Sequence, residues 1–237
     1  MLLLYVGTSG FSYDAWVGPF YPAGLPADAR LAYYAERLSA VEINNSFYRV
    51  PRTEVVEGWA ASVPPEFRIV LKVTRRVSHF ARLSESAEEP MQWMLRAAEA
   101  LGERRGPLLC QLPPNLRADP PRLATFLGRL PAGAEVAFEF RHASWRSDEV
   151  ADILRAHGAA LCLSDEHEPL PAELPRTAPF GYLRLRRPEY APLELDRAVE
   201  AVRAAGWERA FVFFKHEDAG VGPRLAADFR ERFGARS

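Results

Sequence analysis

The feature that most restricts how this chain can fold is an alternation repeated from one end to the other. Short apolar runs, each stopped by glycine, proline or polar residues, are followed by longer stretches in which apolar residues recur at helical spacing. Eight runs read as strands: Leu2 to Val6, Ala40 to Ile43, Arg68 to Val73, Pro107 to Leu112, Glu135 to Phe140, Ala159 to Leu163, Tyr182 to Leu185 and Ala210 to Phe214. Helical patterns follow most of them, over Asp28 to Leu38, Thr53 to Ser62, Pro90 to Leu101, Pro121 to Leu130, Ser147 to His157, Leu193 to Ala205 and Pro223 to Phe233. Strands that alternate with helices build a parallel sheet, because each parallel neighbour is reached by a crossover. Eight such units at about 30-residue spacing in 237 residues predict a single domain, residues 1–237, with a (β/α)8 barrel of the TIM type. One unit departs from the pattern. Between Glu166 and Pro179 lie Pro169, Pro171 and Pro175 as well, which remove amide donors and forbid a continuous helix, so a proline-rich loop is expected in place of the sixth helix. Two further loops stand out, an aromatic one from Gly7 to Ala27 and one from Arg75 to Glu89 that carries Arg75, Arg76, His79 and Arg82.

In a barrel of this kind alternate side chains face the central core, and active sites form at the C-terminal strand ends. Polar residues of inward parity near those ends are therefore the candidates. Glu42 and Asn44 share a face opposite Val41 and Ile43. On the same parity Lys72 accompanies Val70, Gln111 accompanies Leu109, and Glu139 accompanies Arg141. The sixth strand ends at Asp165, the seventh supplies Arg184 and Arg186 opposite Leu183 and Leu185, and the eighth supplies Lys215 with Phe213. An internal ion-pair layer would also bury charges in pairs. Charges drawn from so many strands to the functional end of the fold point instead to a binding or catalytic site.

The choice of cation sharpens this. Of 30 Lys and Arg residues only Lys72 and Lys215 are lysines, and the only asparagines are Asn44, Asn45 and Asn115, all just past expected strands. A sequence that uses arginine wherever a positive charge is wanted keeps lysine where a compact, deprotonatable amine is needed, as in acid–base or Schiff-base chemistry.

Whole-chain properties exclude other classes. The formal charge of -1 and a pI near 6.5 provide no basic field for non-specific nucleic-acid binding, so any anion site must be local. Cys110 and Cys162 sit inside apolar runs and read as reduced core residues. The N-terminal residues lack a basic leader and turn to glycine at Gly7, and no apolar run reaches about 18 residues, so neither export nor a membrane span is expected and a cytoplasmic location is.

Several motifs together resemble the YecE-like family, the domain of unknown function numbered seventy-two. They are Gly7-Thr8-Ser9-Gly10-Phe11-Ser12-Tyr13 followed by Trp16, Gly18 and Phe20-Tyr21-Pro22; Val41-Glu42-Ile43-Asn44-Asn45-Ser46-Phe47-Tyr48-Arg49 with Pro51; Lys72 with His79; Gln111-Leu112-Pro113-Pro114; and Glu139-Phe140-Arg141-His142 with Ser144-Trp145. The resemblance implies a TIM-barrel-like fold with a polar pocket at the strand ends and carries no reaction with it. The chain departs from the commonest family pattern at Arg186-Arg187 and Lys215-His216, where a His-Gly and an asparagine pair are usual.

The expected function is an enzyme acting on a small or terminal anionic group, phosphate or carboxylate, because Lys72, Arg141, Arg184, Arg186 and Lys215 outnumber Glu42, Glu139 and Asp165 at the proposed mouth. Glu42, Lys72 and Glu139 are the expected catalytic groups. Asn44, Asn45, Tyr48, His79, Gln111, Arg141, His142, Asp165, Arg184, Arg186 and Lys215 are the expected substrate-binding residues. Two alternatives stand beside this. One is nucleic-acid recognition or phosphodiester chemistry, with Arg75-Arg76 and Arg186-Arg187 on phosphates and Phe11, Tyr13, Trp16, Phe47 and Tyr48 on bases. The other is a non-catalytic protein that binds small anions. Glu42, Glu139, Asp165, His142 and His216 hold no His-x-His or His-Glu-x-x-His spacing, and the cations around them oppose a metal, so neither metal nor cofactor is expected.

Overall fold

The computed structural model describes residues 2–235; Met1, Arg236 and Ser237 lie outside it. Eight parallel strands form the sheet: β1 Leu3–Ser9, β2 Ala40–Ile43, β3 Arg68–Leu71, β4 Leu108–Gln111, β5 Val136–Glu139, β6 Ala160–Ser164, β7 Phe180–Leu185 and β8 Arg209–Phe214. Seven α-helices surround them: α1 Arg30–Ala35, α2 Thr53–Ala61, α3 Glu88–Glu99, α4 Pro120–Gly128, α5 Asp148–Ala156, α6 Pro192–Ala204 and α7 Val221–Gly234. The strand order is β3-β2-β1-β8-β7-β6-β5-β4. The seam between β3 and β4 is closed by two backbone bonds, Gly106 N–H to Ile69 O at 2.9 Å and Val73 N–H to Leu109 O at 2.8 Å. That closure needs glycine at 106, where a Cβ would stand 2.8 Å from Val70 Cγ2.

Inside the barrel the filling is lopsided. β7 and β8 contribute Phe180, Tyr182, Phe211 and Phe213, while Ala40, Ala137 and Ala160 on β2, β5 and β6 leave room for those rings. Outside, a larger apolar layer joins strands to helices, including Val41 and Ile43, Cys110, Phe138, Leu183 and Leu185. The strand faces thus follow the inward parity expected from the sequence. Both cysteines are free and buried, and among the described residues no helix is long and apolar enough to cross a membrane.

No helix occurs between Ser164 and Phe180, and the proline-rich segment crosses that wall as a strap. Most element boundaries fall within two residues of those expected; β1 and α1 differ by more. β1 runs on to Ser9, where the sequence suggests an end at Val6. Gly7 does not turn the chain there: a Cβ on it would stand 1.7 Å from Ala40 O, so glycine lets β1 and β2 pack closely. α1 ends at Ala35 rather than Leu38, because the chain already turns toward β2 and the Ser39 amide bonds to Val6 O at 3.1 Å.

Candidate active site at the barrel mouth

Above the aromatic filling lies one polar layer. At its centre is Arg184 on β7, whose side chain is 1 % exposed. It donates from Nη2 to Glu42 Oε1 at 2.7 Å and from Nη1 to Glu139 Oε2 at 2.6 Å, binding β2 to β5 across the barrel. Glu42 also accepts from Ser9 Oγ and Tyr182 Oη, each at 2.7 Å. Glu139 accepts from Gln111 Nε2 at 2.7 Å and, more weakly, from Arg141 Nε at 3.5 Å. The amide of Gln111 then turns its oxygen to Lys72, whose Nζ donates to it at 2.8 Å. Lys72 Nζ also lies 4.5 Å from the centre of the Phe47 ring.

This chain of contacts gives its two ends opposite chemistry. Burial alone would raise both carboxyls, but Arg184 and the other donors outweigh it: Glu42 is held below the usual carboxylate range, and Glu139 is held down to about 2. Both are filled acceptors and weak bases. Lys72 goes the other way. Burial, and then the positive charge of Arg184, push its amine down to about 8, against the pull of Glu42 and Glu139. The neutral Gln111 stands between Lys72 and the Glu139 carboxylate and prevents their direct contact.

Around this layer the rim is more exposed. Glu166, just past β6, places Oε2 between two guanidiniums, 3.1 Å from Arg141 Nη2 and 2.6 Å from Arg186 Nη1. The Nε atoms of Arg184 and Arg186 are buried donors without an acceptor. His79 packs edge-on against Phe47, with centroids 4.9 Å apart, and pairs Nδ1 with Ser78 Oγ at 2.9 Å. Burial lowers its pKa, as do Lys72, Arg141 and Arg82. A cleft of about 470 Å³ runs beside the strap, with Glu139, Arg141, Glu166 and apolar residues such as Leu154 and Leu163 in its walls.

The structure thus joins Glu42, Lys72, Gln111, Glu139, Arg141 and Arg184 in one network and sets His79 and Arg186 beside it. Other expected residues lie apart. The Asp165 carboxylate accepts from Tyr190 Oη at 2.5 Å and from the Arg186 amide at 2.6 Å, which shapes the strap's entry. His142 bonds locally to Ser144 Oγ at 2.8 Å. Asn44 is half-buried, Asn45 and Tyr48 are exposed, and Lys215 is exposed with no described side-chain bond. With Arg186 counted through its bond to Glu166, and Lys215 and Asp165 apart, four cations face three carboxylates, and Lys72 is the cation of the four with no described carboxylate contact.

Ser9, Tyr182 and Glu166 belong to the site but are absent from the sequence-based set. Tyr182 shares its parity with Arg184 and was legible on that ground; Ser9 was hidden by the early end assigned to β1. The aromatic loop after β1 is mainly a plug. Trp16 and Tyr21 are fully buried, and Trp16 Nε1 donates to Glu217 O at 3.0 Å.

The chain matches, over residues 5–237, the family described as "Protein of unknown function DUF72". The protein belongs to the DUF72 family. Among solved structures, a DUF72 family protein from Thermotoga maritima superposes with a TM-score of 0.82 at 26% identity, covering 98% of this chain and 99% of that one. A DUF72 protein from Enterococcus faecalis gives 0.75 at 20% identity, covering 98% of each, which supports the fold alone. The UPF0759 protein YecE of Escherichia coli K12 is 29% identical over 141 residues, or 59% of this chain. That match spans about half of YecE, 49% of its length. DUF72 membership accounts for the shared barrel and leaves the chemistry to be argued from the polar layer.

Proposed function

We propose that the barrel mouth of this DUF72 protein is the active site of an enzyme acting on a small substrate with a carboxylate or phosphate group, and that Lys72 is its reactive side chain. The observation that carries this reading is the isolation of Lys72. Arg184, Arg141 and Arg186 each touch a carboxylate, whereas among the described residues the Lys72 amine touches an amide oxygen and a ring face and no carboxylate. A buried cation left without a carboxylate partner is costly, and active sites are where such arrangements recur. With a pKa of about 8, about one Lys72 in ten is a free amine at pH 7, against about one in three thousand for an ordinary lysine. Glu42 and Glu139 serve as fixed charges that hold Arg184, rather than as the acid and base themselves. Arg141 and Arg186 already grip the carboxylate of Glu166, and a substrate anion that displaced it would meet the same two guanidiniums.

The test compares Lys72→Arg with Lys72→Met. In a metabolite screen read by thermal shift and by turnover, Lys72→Arg should retain anion binding and lose turnover, while Lys72→Met loses turnover and some affinity. Turnover retained in Lys72→Arg would mean that only the charge matters and would overturn the role given to Lys72. Anion binding without any turnover in the wild type would favour a binding protein.

One observation favours a second reading. Tyr48 and Phe80 are 66 % and 69 % exposed, and the Arg75 guanidinium lies 5.7 and 5.4 Å from their ring centres with no carboxylate in contact among the described residues. Exposed rings interleaved with free cations suit single-stranded nucleic acid. Tight, steeply salt-dependent binding of a mixed oligonucleotide pool, lost in Tyr48→Ala with Phe80→Ala, would favour it over the small-anion reading.

A further inference from the structure

We propose that Lys72 is a nucleophile that forms an imine with the carbonyl group of an anionic aldehyde or ketone. This rests on the reading of the mouth as a small-anion site and names the chemistry done there.

Geometry separates a nucleophilic lysine from a structural one. Lys72 Nζ makes a single hydrogen bond to a protein side chain, at 2.8 Å, and makes it to a neutral acceptor. The acceptor is fixed, because the other end of the Gln111 amide donates to Glu139 at 2.7 Å and keeps the oxygen toward the lysine. Nζ therefore keeps hydrogens that no described side chain binds. Phe47 supplies a ring face at 4.5 Å, which holds a cation without accepting a proton from it. The side chain is buried yet not sealed, at 9 % exposure, while Glu42 behind it is at 0 %. Burial first, and Arg184 after it, favour the unprotonated amine against the pull of Glu42 and Glu139, an arrangement of the kind that activates Schiff-base lysines. An arginine could not form the bond, which explains a lysine here in a chain that otherwise relies on arginine.

The step balances without an oxidant or reductant. The free amine's lone pair attacks the carbonyl carbon, and the C=O π pair moves to oxygen to give a carbinolamine. That oxygen leaves as water with two of the hydrogens of the original ammonium group, and the C=N bond forms. The protonated imine retains the positive charge, so Glu42, Glu139 and Arg184 meet the same local field before and after. Hydrolysis reverses the step. The substrate's anion is available to Arg141 and Arg186, and this limits the class to carbonyl compounds that bear a carboxylate or phosphate.

The two lysines make the test internally controlled. The intact protein is incubated at pH 7 with glyoxylate, pyridoxal 5′-phosphate or uncharged propionaldehyde, reduced with borohydride and mapped by peptide mass spectrometry. A merely structural Lys72 reacts more slowly than the exposed Lys215. The proposal expects the reverse: the Lys72 peptide gains the reduced adduct faster than the Lys215 peptide, by at least about tenfold. It expects that preference with the anionic aldehydes, not with propionaldehyde, and no adduct at position 72 in Lys72→Arg. Adducts on Lys215 and the chain terminus with Lys72 unmodified would overturn it. Calorimetry with non-carbonyl carboxylates separates the two levels. If these bind while Lys72 stays unmodified, the imine fails and the small-anion reading stands; if they do not bind either, both fail.

Discussion

The two ends of the polar layer use buried charge in opposite ways. At the Arg184 end each charged group has an opposite charge beside it: one guanidinium spans two carboxylates, with only its Nε left without an acceptor, and those carboxylates are further held by Ser9, Tyr182 and Gln111. At the Lys72 end, a few ångströms along the same chain of contacts, the cation meets an amide and a ring. Charge pairing makes the first end a structural clamp that joins β2, β5 and β7 through their side chains. Incomplete pairing at the second end is what the reactivity proposed for Lys72 rests on. A sequence shows both as charges at strand ends, and only their partners tell them apart.

The comparison breaks most visibly at the clamp. Arg184→Met leaves Glu42 buried without a counter-ion and Glu139 with only the 3.5 Å contact to Arg141, and loss of one partner of a buried pair typically costs about 3–5 kcal/mol. Urea unfolding at pH 7 should show that loss, with Lys72→Met unchanged or more stable. Equal destabilisation by both would show that the two ends are not different in kind.

Acid should act next most strongly, and at the clamp alone. Because Glu139 titrates near 2 when folded, below its ordinary 4.5, its contribution is fully present above about pH 4.5 and is lost as pH falls through 2. The difference amounts to about 3 kcal/mol. A Glu139→Gln variant should lose most of that pH dependence; an unaltered slope between pH 5 and 2 would remove Glu139 from the account. Lys72 acts in the same sense, at the alkaline end of the scale. Its depressed pKa means that the unfolded chain binds more protons between pH 8 and 10.5, so stability rises with pH in that window.

The smallest effect sharpens the role of the spacer. Gln111→Glu puts a carboxylate beside Lys72 and should raise the pKa of the amine by about one unit, or about 1.4 kcal/mol. The pH at which Lys72 reacts with an amine-selective reagent should move up accordingly. No movement would mean that the amide is not what keeps the lysine unpaired.

Much of this was legible in the sequence because period and parity are local properties. Alternating faces on β2, β3, β4, β5 and β7 placed Glu42, Lys72, Gln111, Glu139 and Arg184 inward, and the four prolines announced the strap. Partnership is not local. Nothing in the sequence distinguishes Asp165, which turns to Tyr190, from Glu166, which turns back between Arg141 and Arg186. Lys215 has the right parity, and its amide still bonds to Leu185 O at 3.0 Å, but its side chain is exposed and enters no described side-chain bond. Ser9 was lost because a glycine inside a strand looks like the end of one.

The strap has a consequence for ionic strength. Elsewhere the barrel wall is backed by helices, whose backbone bonds are indifferent to moderate salt. On the sixth unit the wall is tethered by Glu166 to Arg141 and Arg186 and by Glu168 to Arg146, the last pair more than half exposed. Exposed ion pairs weaken as the Debye length shortens from about 10 Å at 0.1 M salt to about 3 Å at 1 M. Salt is therefore expected to act on this side of the mouth through those pairs, and the same ions compete for the guanidiniums that Glu166 occupies.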